Sequence, residues 1–222
     1  MSKQSQWIKQ IKAGESLHVE FKRQAPKLER LARSFSAFSN SAGGSIFFGV
    51  EDDGSITGLE HLDGTRDIVI QVAEFHCRPA IQPEIIEWEH MPGTRVLVVH
   101  IPEAENKPVY AVNPNNPKDS WPFFRSDKEN LALDRQSIKT MRRGPSIDIE
   151  EDVSNLDRHA IKILNTLADH PRQTLNKLAK STNIGANRAK KILVHLEKNG
   201  WIHSYFNEKR REFSLTIDWK KR

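Results

Sequence analysis

Along the 222 residues the spacing of apolar side chains changes period repeatedly, and each change marks an element. Gln6 to Lys12 reads as a short helix stopped by Gly14. Leu17 to Lys22 alternates: Leu17, Val19 and Phe21 point one way, His18, Glu20 and Lys22 the other, as in a strand. After Pro26, the positions Leu28, Leu31, Ala32, Phe35 and Phe38 form a helical stripe that packs on the sheet. The pattern breaks at Asn40-Ser41-Ala42-Gly43-Gly44. It resumes as Ile46 to Val50, apolar on both faces, the mark of a central strand. Asp52-Asp53-Gly54 then predicts a hairpin, with Ile56 to Leu59 as the returning strand.

A second helix opens at Gly64-Thr65 and turns Ile68, Val69, Val72 and Phe75 inward, ending at Cys77-Arg78-Pro79. Ile81 to Trp88 and Arg95 to Ile101 predict two strands joined by Met91-Pro92-Gly93-Thr94. Val96 to Val99 is again apolar throughout, and so central. Residues 102–118 are rich in Pro and Asn, with a short strand at Val109–Val112. An aromatic strand follows at Trp121 to Ser126, then a closing helix from Leu133 to Arg143. Gly144 to Ser154 is acidic and without period, and reads as a linker.

Beyond the linker the period is helical. His159 to Leu167 forms one helix and Leu175 to Ser181, behind the N-cap Thr174, a second. Asn183-Ile184-Gly185 makes the turn into Asn187 to Asn199. Two strands, Trp201 to Tyr205 and Glu212 to Thr216, flank the basic turn Asn207 to Arg211. Three helices with a tight second turn and a β-hairpin describe a winged helix-turn-helix. The predicted class is therefore α+β: a mixed-sheet domain with packed helices at 1–143, a linker at 144–154, and a winged helix at 155–222.

Composition narrows the function. The chain has no apolar run of membrane-span length and no signal-peptide core at its start, which points to the cytoplasm and away from membranes. The single cysteine, Cys77, excludes an internal disulfide and a cysteine-based zinc site, and reads as a small buried side chain. The net charge of +5 is uneven. Residues 1–143 hold 19 Lys and Arg against 19 Asp and Glu, whereas residues 155–222 hold 15 against 6. The last third of the chain is built to meet a polyanion.

The stretch Ala37 to Gly58, preceded by ESLHVEFKR at Glu15–Arg23, carries a further signal. Its A-F-x-N-S-x-G-G turn and G-V-x-D-x-G-x-I-x-G hairpin resemble the Schlafen/AlbA-like family, over about Ile11 to Arg143. The resemblance implies a nucleic-acid-associated domain of α+β fold. In the RNA-cleaving Schlafens it implies that Glu15, Glu20 and Asp52 match the acidic triad and Lys22 the adjoining basic residue. Those enzymes join two such lobes and carry a cysteine-rich zinc site. This chain has one lobe and no such site.

Three groups of residues are candidates for chemistry. In the winged helix, Asn187, Arg188, Lys190 and Lys191 occupy the part of the third helix that enters a major groove. Arg and Asn there can read bases, and Lys can hold phosphate. Lys209, Arg210 and Arg211 sit at the wing tip, within reach of a minor groove or the backbone. In the first domain, Glu15, Glu20 and Asp52 beside Lys22 offer oxygen ligands for Mg²⁺ or Mn²⁺. The turn containing Ser41, Gly43 and Gly44 has the backbone for a phosphate cradle, but no Lys stands beside it and no G-x-x-x-x-G-K-(S/T) occurs. Nucleophile-triad and zinc-protease spacings are absent. The leading reading is a dimeric, duplex-DNA-binding transcriptional regulator that needs no cofactor. A divalent-metal-dependent endoribonuclease acting on RNA is the alternative, and an adaptor that touches no nucleic acid the third.

Overall fold

The computed structural model describes residues 3–143, 156–207, 210–216 and 219. The chain divides into two compact units, Met1–Asn130 and Leu131–Arg222. The linker predicted at 144–154 lies outside the described residues.

In the first unit, α1 (Lys3–Ala13) precedes β1 (Val19–Lys22), and α2 (Leu28–Asn40) crosses from β1 to β2 (Gly44–Phe48). These two strands pair in parallel, Glu20 opposite Ile46, as a helical crossover requires. After α3 (Leu62–Phe75) and the short β3 (Cys77–Arg78), the hairpin of β4 (Glu84–Met91) and β5 (Thr94–Ile101) completes a sheet of order β1-β2-β5-β4. Strand β6 (Tyr110–Ala111), β7 (Trp121–Ser126) and β8 (Glu129–Ala132) form a second sheet with β3, in the order β3-β6-β7-β8.

The alternation along β2 and β5 explains why both are apolar throughout. Ile46, Phe48, Leu97 and Val99 enter the core beneath α2 and α3, while Phe47, Val96 and Val98 enter the opposite core, which includes Ile11 of α1. Helix α2 is covered on more than its apolar stripe. Ser36 and Asn40, on the side that its sequence leaves polar, meet the backbone of Val109 and Phe123 beside β6 and on β7. A helix between two sheets must satisfy polar groups on its second face, and Asn40 does so with four contacts. Its Nδ2 donates to the Val109 and Phe123 carbonyls (both 2.8 Å) and to Ser36 Oγ (3.3 Å). Its Oδ1 accepts from the Val109 N–H (2.7 Å).

Three predicted details differ. Ile56 to Leu59 does not form a full strand: one bridge joins Ile56 to Val50, and the Gly49 carbonyl accepts the Thr57 and Gly58 N–H groups. The buried stripe of α3 runs through Thr65, Val69, Val72 and Ala73, and this leaves Phe75 57% exposed. Cys77 is buried as expected but lies in β3 rather than in the helix.

The second unit opens with α4 (Arg135–Arg143), followed by α5 (Arg158–Asp169), β9 (Gln173–Thr174), α6 (Leu175–Thr182) and α7 (Ala186–Lys198). Strands β10 (Ile202–Asn207) and β11 (Arg210–Leu215) form the wing, in a sheet of order β10-β11-β9. Ile163, Leu164, Leu178, Leu193, Leu196, Trp201 and Phe213 close its core. Among the described residues, no helix is long and apolar enough to cross a membrane.

Candidate nucleic-acid interface

The winged helix places its third helix by local chemistry. Asp157 caps α5, its Oδ1 accepting the His159 and Ala160 N–H groups at 2.8 Å. The Ala160 N–H does most to hold that carboxyl below its ordinary value, with His159 and Arg188 adding to the effect. Asn183 ends α6 in the left-handed region (φ +55°), a conformation that Asn tolerates, and Gly185 starts α7 two residues later. The turn is therefore as tight as its sequence predicts. Ala189, Leu193 and Leu196 bury the underside of α7, which leaves Asn187, Arg188, Lys190 and Lys191 exposed together on its first two turns. The structure thus brings the four predicted base- and phosphate-contacting residues to one surface.

The wing tip differs from expectation. Arg210 is exposed, but Arg211 turns inward. Its Nε donates to Asp134 Oδ2 at 3.0 Å, and its second guanidinium nitrogen donates to Glu197 Oε2 (3.1 Å) and Ser204 Oγ (2.8 Å). Asp134 and Glu197 are buried, and two enclosed carboxylates require a cation. Arg211 is therefore committed to the protein rather than to a phosphate. The alternation of β11 fixes this: Arg211 lies opposite Phe206, on the face that Phe213 and Leu215 share with the core. Lys209 lies outside the described residues.

Two further groups surround this ion cluster. Ser137 Oγ donates to Glu197 Oε1 at 2.9 Å and accepts the Ser204 N–H at 2.8 Å, and Ser204 Oγ donates to Asp134 Oδ2 at 2.6 Å. Ser204 Oγ also makes a short contact with Glu197 Oε1. The helix that the sequence assigns as the closing element of the first domain is in this way fastened to the winged helix.

In the first unit, the acidic trio does not assemble. The period of β1 sends Val19 and Phe21 into the α1-side core, and so sends Glu20 beneath α2, where it is 4% exposed. Its Oε1 accepts Ser34 Oγ (2.8 Å) and Lys22 Nζ (2.7 Å); its Oε2 accepts a terminal guanidinium nitrogen of Arg125 (2.7 Å). Burial alone would raise its carboxyl, yet Lys22 and Arg125 outweigh that and hold it below the ordinary value. Glu15 is half-buried and accepts the Phe21 N–H at 2.8 Å, while Asp52 is exposed in the turn after β2. Among the described residues, no three His, Cys, Asp or Glu side chains group as a metal site would need. Glu20 faces Lys22 and Arg125 rather than further carboxylates, an arrangement that does not fit the metal implied by the resemblance.

Arg125 organises this region. It is 1% exposed, and all five of its N–H groups have acceptors: the carbonyls of Ser16 (twice) and Val19, Glu20 Oε2 and Asn130 Oδ1. Its guanidinium also lies 4.7 Å from the centre of the Phe38 ring. The sequence marks Arg125 as the end of an aromatic strand that the family resemblance sets near the glycine turn, where its backbone N–H meets Ser41 Oγ at 2.9 Å. Its role depends on β1 and β7 meeting, which no local pattern reveals.

The glycine turn is also structural. The Ser41 and Gly43 N–H groups both donate to the Phe38 carbonyl, which closes the end of α2. Gly43 (φ +69°) lies so close to the Ile101 carbonyl that a Cβ would sit 2.8 Å from it. A Cβ on Gly44 would meet the Phe38 ring at 2.4 Å. Ser41 Oγ accepts the Arg125 N–H, and its carbonyl accepts Lys107 Nζ. With these groups engaged and both glycines buried, the turn does not present the phosphate cradle considered from the sequence.

Comparison with known proteins agrees with both halves. The Schlafen, AlbA_2 family signature matches residues 15–134. The chain belongs to that family. Its AlbA_2 match ends one residue before α4 begins, and a winged helix-turn-helix DNA-binding signature follows at residues 156–203. The pairing of an AlbA_2 domain with a winged helix marks a nucleic-acid-binding protein. Among solved structures, the chain is similar to the N-terminal domain of a RecG-related protein from Nitrosomonas europaea. The identity is 24% and the TM-score 0.42, over 61% of this chain and 97% of that one. It is also similar to the DIP2311 protein from Corynebacterium diphtheriae, at 19% identity and a TM-score of 0.40, over 68% of this chain and 29% of that one. No curated protein sequence matches it.

Proposed function

We propose that this protein is a dimeric transcriptional regulator that binds duplex DNA through α7. The observation that carries the proposal is the exposed group Asn187, Arg188, Lys190 and Lys191 over an apolar underside that fixes the direction of the helix. Arg188 and Asn187 have the donor geometry to read guanine and adenine edges, and the two lysines supply phosphate contacts. Charge supports this division of labour: residues 131–222 hold 19 Lys and Arg against 11 Asp and Glu, and residues 1–130 hold 15 against 18. A single winged helix buries little surface on DNA, so a pair held by the first unit would double the contact.

The test is duplex binding by fluorescence anisotropy over a salt series, with sedimentation of the free protein. Binding that weakens steeply with salt, and is lost in Arg188→Glu/Lys191→Glu, is the expected result. Wild-type protein that ignores the duplex would leave the adaptor reading in its place. A monomer at micromolar concentration would remove the dimer.

A further inference from the structure

Resting on that reading, we infer that Val194 is a specificity-determining residue of α7, whose methyl groups pack on the C5-methyl of a thymine in the major groove. Val194 is 38% exposed, on a helix whose other exposed side chains from Asn187 to Lys198 are all polar. It stands at i+7 from Asn187, i+4 from Lys190 and i+3 from Lys191, so it shares their face of the helix. At 1.5 Å per residue, Asn187 and Val194 lie about 10.5 Å apart along the axis, within the ~12 Å width of a major groove. A helical side chain leans toward the N-terminus and covers the turn before its own Cα. Val194 therefore presents its methyls beside the two lysines rather than beyond them.

The fold gives no reason for a valine at this position. Ala189, Leu193, Leu196 and Glu197 are the buried residues of α7, and Ile192 packs at the edge of the core. Among the described residues, Val194 belongs to neither group. A β-branched side chain at an exposed helical site gives up rotamer freedom that Ala, Lys or Gln would keep. The surroundings select its occupant. Arg188, Lys190 and Lys191 are exposed on this helix and its single acid, Glu197, is buried, so the face carries the sign that a duplex requires. One valine among cations is too small a patch for an apolar protein surface. It is the right size for one methyl group, and of the four bases only thymine displays a methyl in the major groove. Arg188 and Asn187 supply donors for guanine and adenine, and Val194 adds the apolar contact that neither can make.

The experiment starts from duplexes that the full chain selects out of a random-sequence pool. The selected duplex is prepared twice, once with thymine and once with uracil at every thymine position, a change that removes the C5-methyl and leaves the hydrogen-bonding edges in place. Fluorescence anisotropy at one salt concentration gives the ratio of the two dissociation constants for each protein. Because a ratio compares two duplexes with one protein, any change in the stability of a variant cancels. Wild-type protein should bind the thymine form about 4-fold tighter, the worth of one buried methyl. Val194→Ala should bring the ratio to about 1. Arg188→Gln should weaken binding to both forms and keep the wild-type ratio. A selected site without thymine, or a wild-type ratio of about 1, overturns the inference and leaves the winged-helix reading standing, since the duplex is still bound. A preference for thymine that survives in Val194→Ala also overturns it, by assigning the methyl contact to another side chain. If the full chain selects no duplex, both readings fall.

Discussion

The guanidinium of Arg125 and the carboxylate of Glu20 meet at 2.7 Å across 105 positions of sequence, with the two side chains 1% and 5% exposed. Removing Glu20 strands Arg125 inside the protein, and removing Arg125 leaves the buried Glu20 with Lys22 as its one cation. Arg125→Met should cost about 3–5 kcal/mol of stability. Arg125→Lys should rescue little of that, because one ammonium cannot span the carbonyls of Ser16 and Val19 together with Glu20 and Asn130. Urea unfolding gives both numbers. A loss under about 1 kcal/mol for Arg125→Met would mean that the pair behaves like one at the surface.

The same carboxylate sets an acid limit. Lys22 and Arg125 hold Glu20 below its ordinary value in the folded chain, so the unfolded chain takes up its proton first as pH falls. The contribution is fully present above the unfolded pKa of about 4.3 and is lost as pH drops through the lower, folded one. Glu20→Gln should flatten that part of the stability profile below about pH 4. Parallel acid slopes in wild type and variant would assign the loss to other carboxylates.

Two glycines separate packing from backbone freedom. A Cβ on Gly44 falls 2.4 Å from the Phe38 ring and 2.8 Å from the His18 carbonyl, so Gly44→Ala should destabilise by about 1–3 kcal/mol. Gly64 is a helical residue of α3 with nothing near such an atom, so Gly64→Ala should stabilise by about 0.5–1 kcal/mol. Thermal melts of the two variants should move in opposite directions.

Neighbouring arginines of the wing should behave differently. Arg211→Ala leaves Asp134 and Glu197 without their cation and should cost about 2–3 kcal/mol, less than a fully enclosed pair because Arg211 is 35% exposed. Arg210→Ala should leave stability within about 0.5 kcal/mol of wild type and lower the salt slope of duplex binding by about 1. Equal melting temperatures for the two variants would contradict the ion cluster.

Periodicity reads the winged helix well because its helices bury one face each, and the turn at Asn183–Gly185 is written in residues suited to it. The family motif was legible too, but not its meaning. Ser41, Gly43 and Gly44 resemble a binding loop in sequence, whereas in the fold they close a helix between two sheets. Glu20 shows the same limit. Alternation places it correctly opposite Val19 and Phe21, but only the arrival of α2 and β7 makes that side an interior. For α4, the helix itself is visible in the sequence. The partner of its buried side is not, since Asp134 and Arg211 lie 77 positions apart.

Arg125 has a consequence for biosynthesis. While a ribosome is still producing the segment before β7, the acid on β1 has no guanidinium to face and the Ser16 and Val19 carbonyls lack the donors that Arg125 brings. The first unit is therefore expected to mature late and all at once, with nascent chains that stop short of this arginine staying open to proteases. One side chain near the end of the unit acts as the latch that lets its beginning settle.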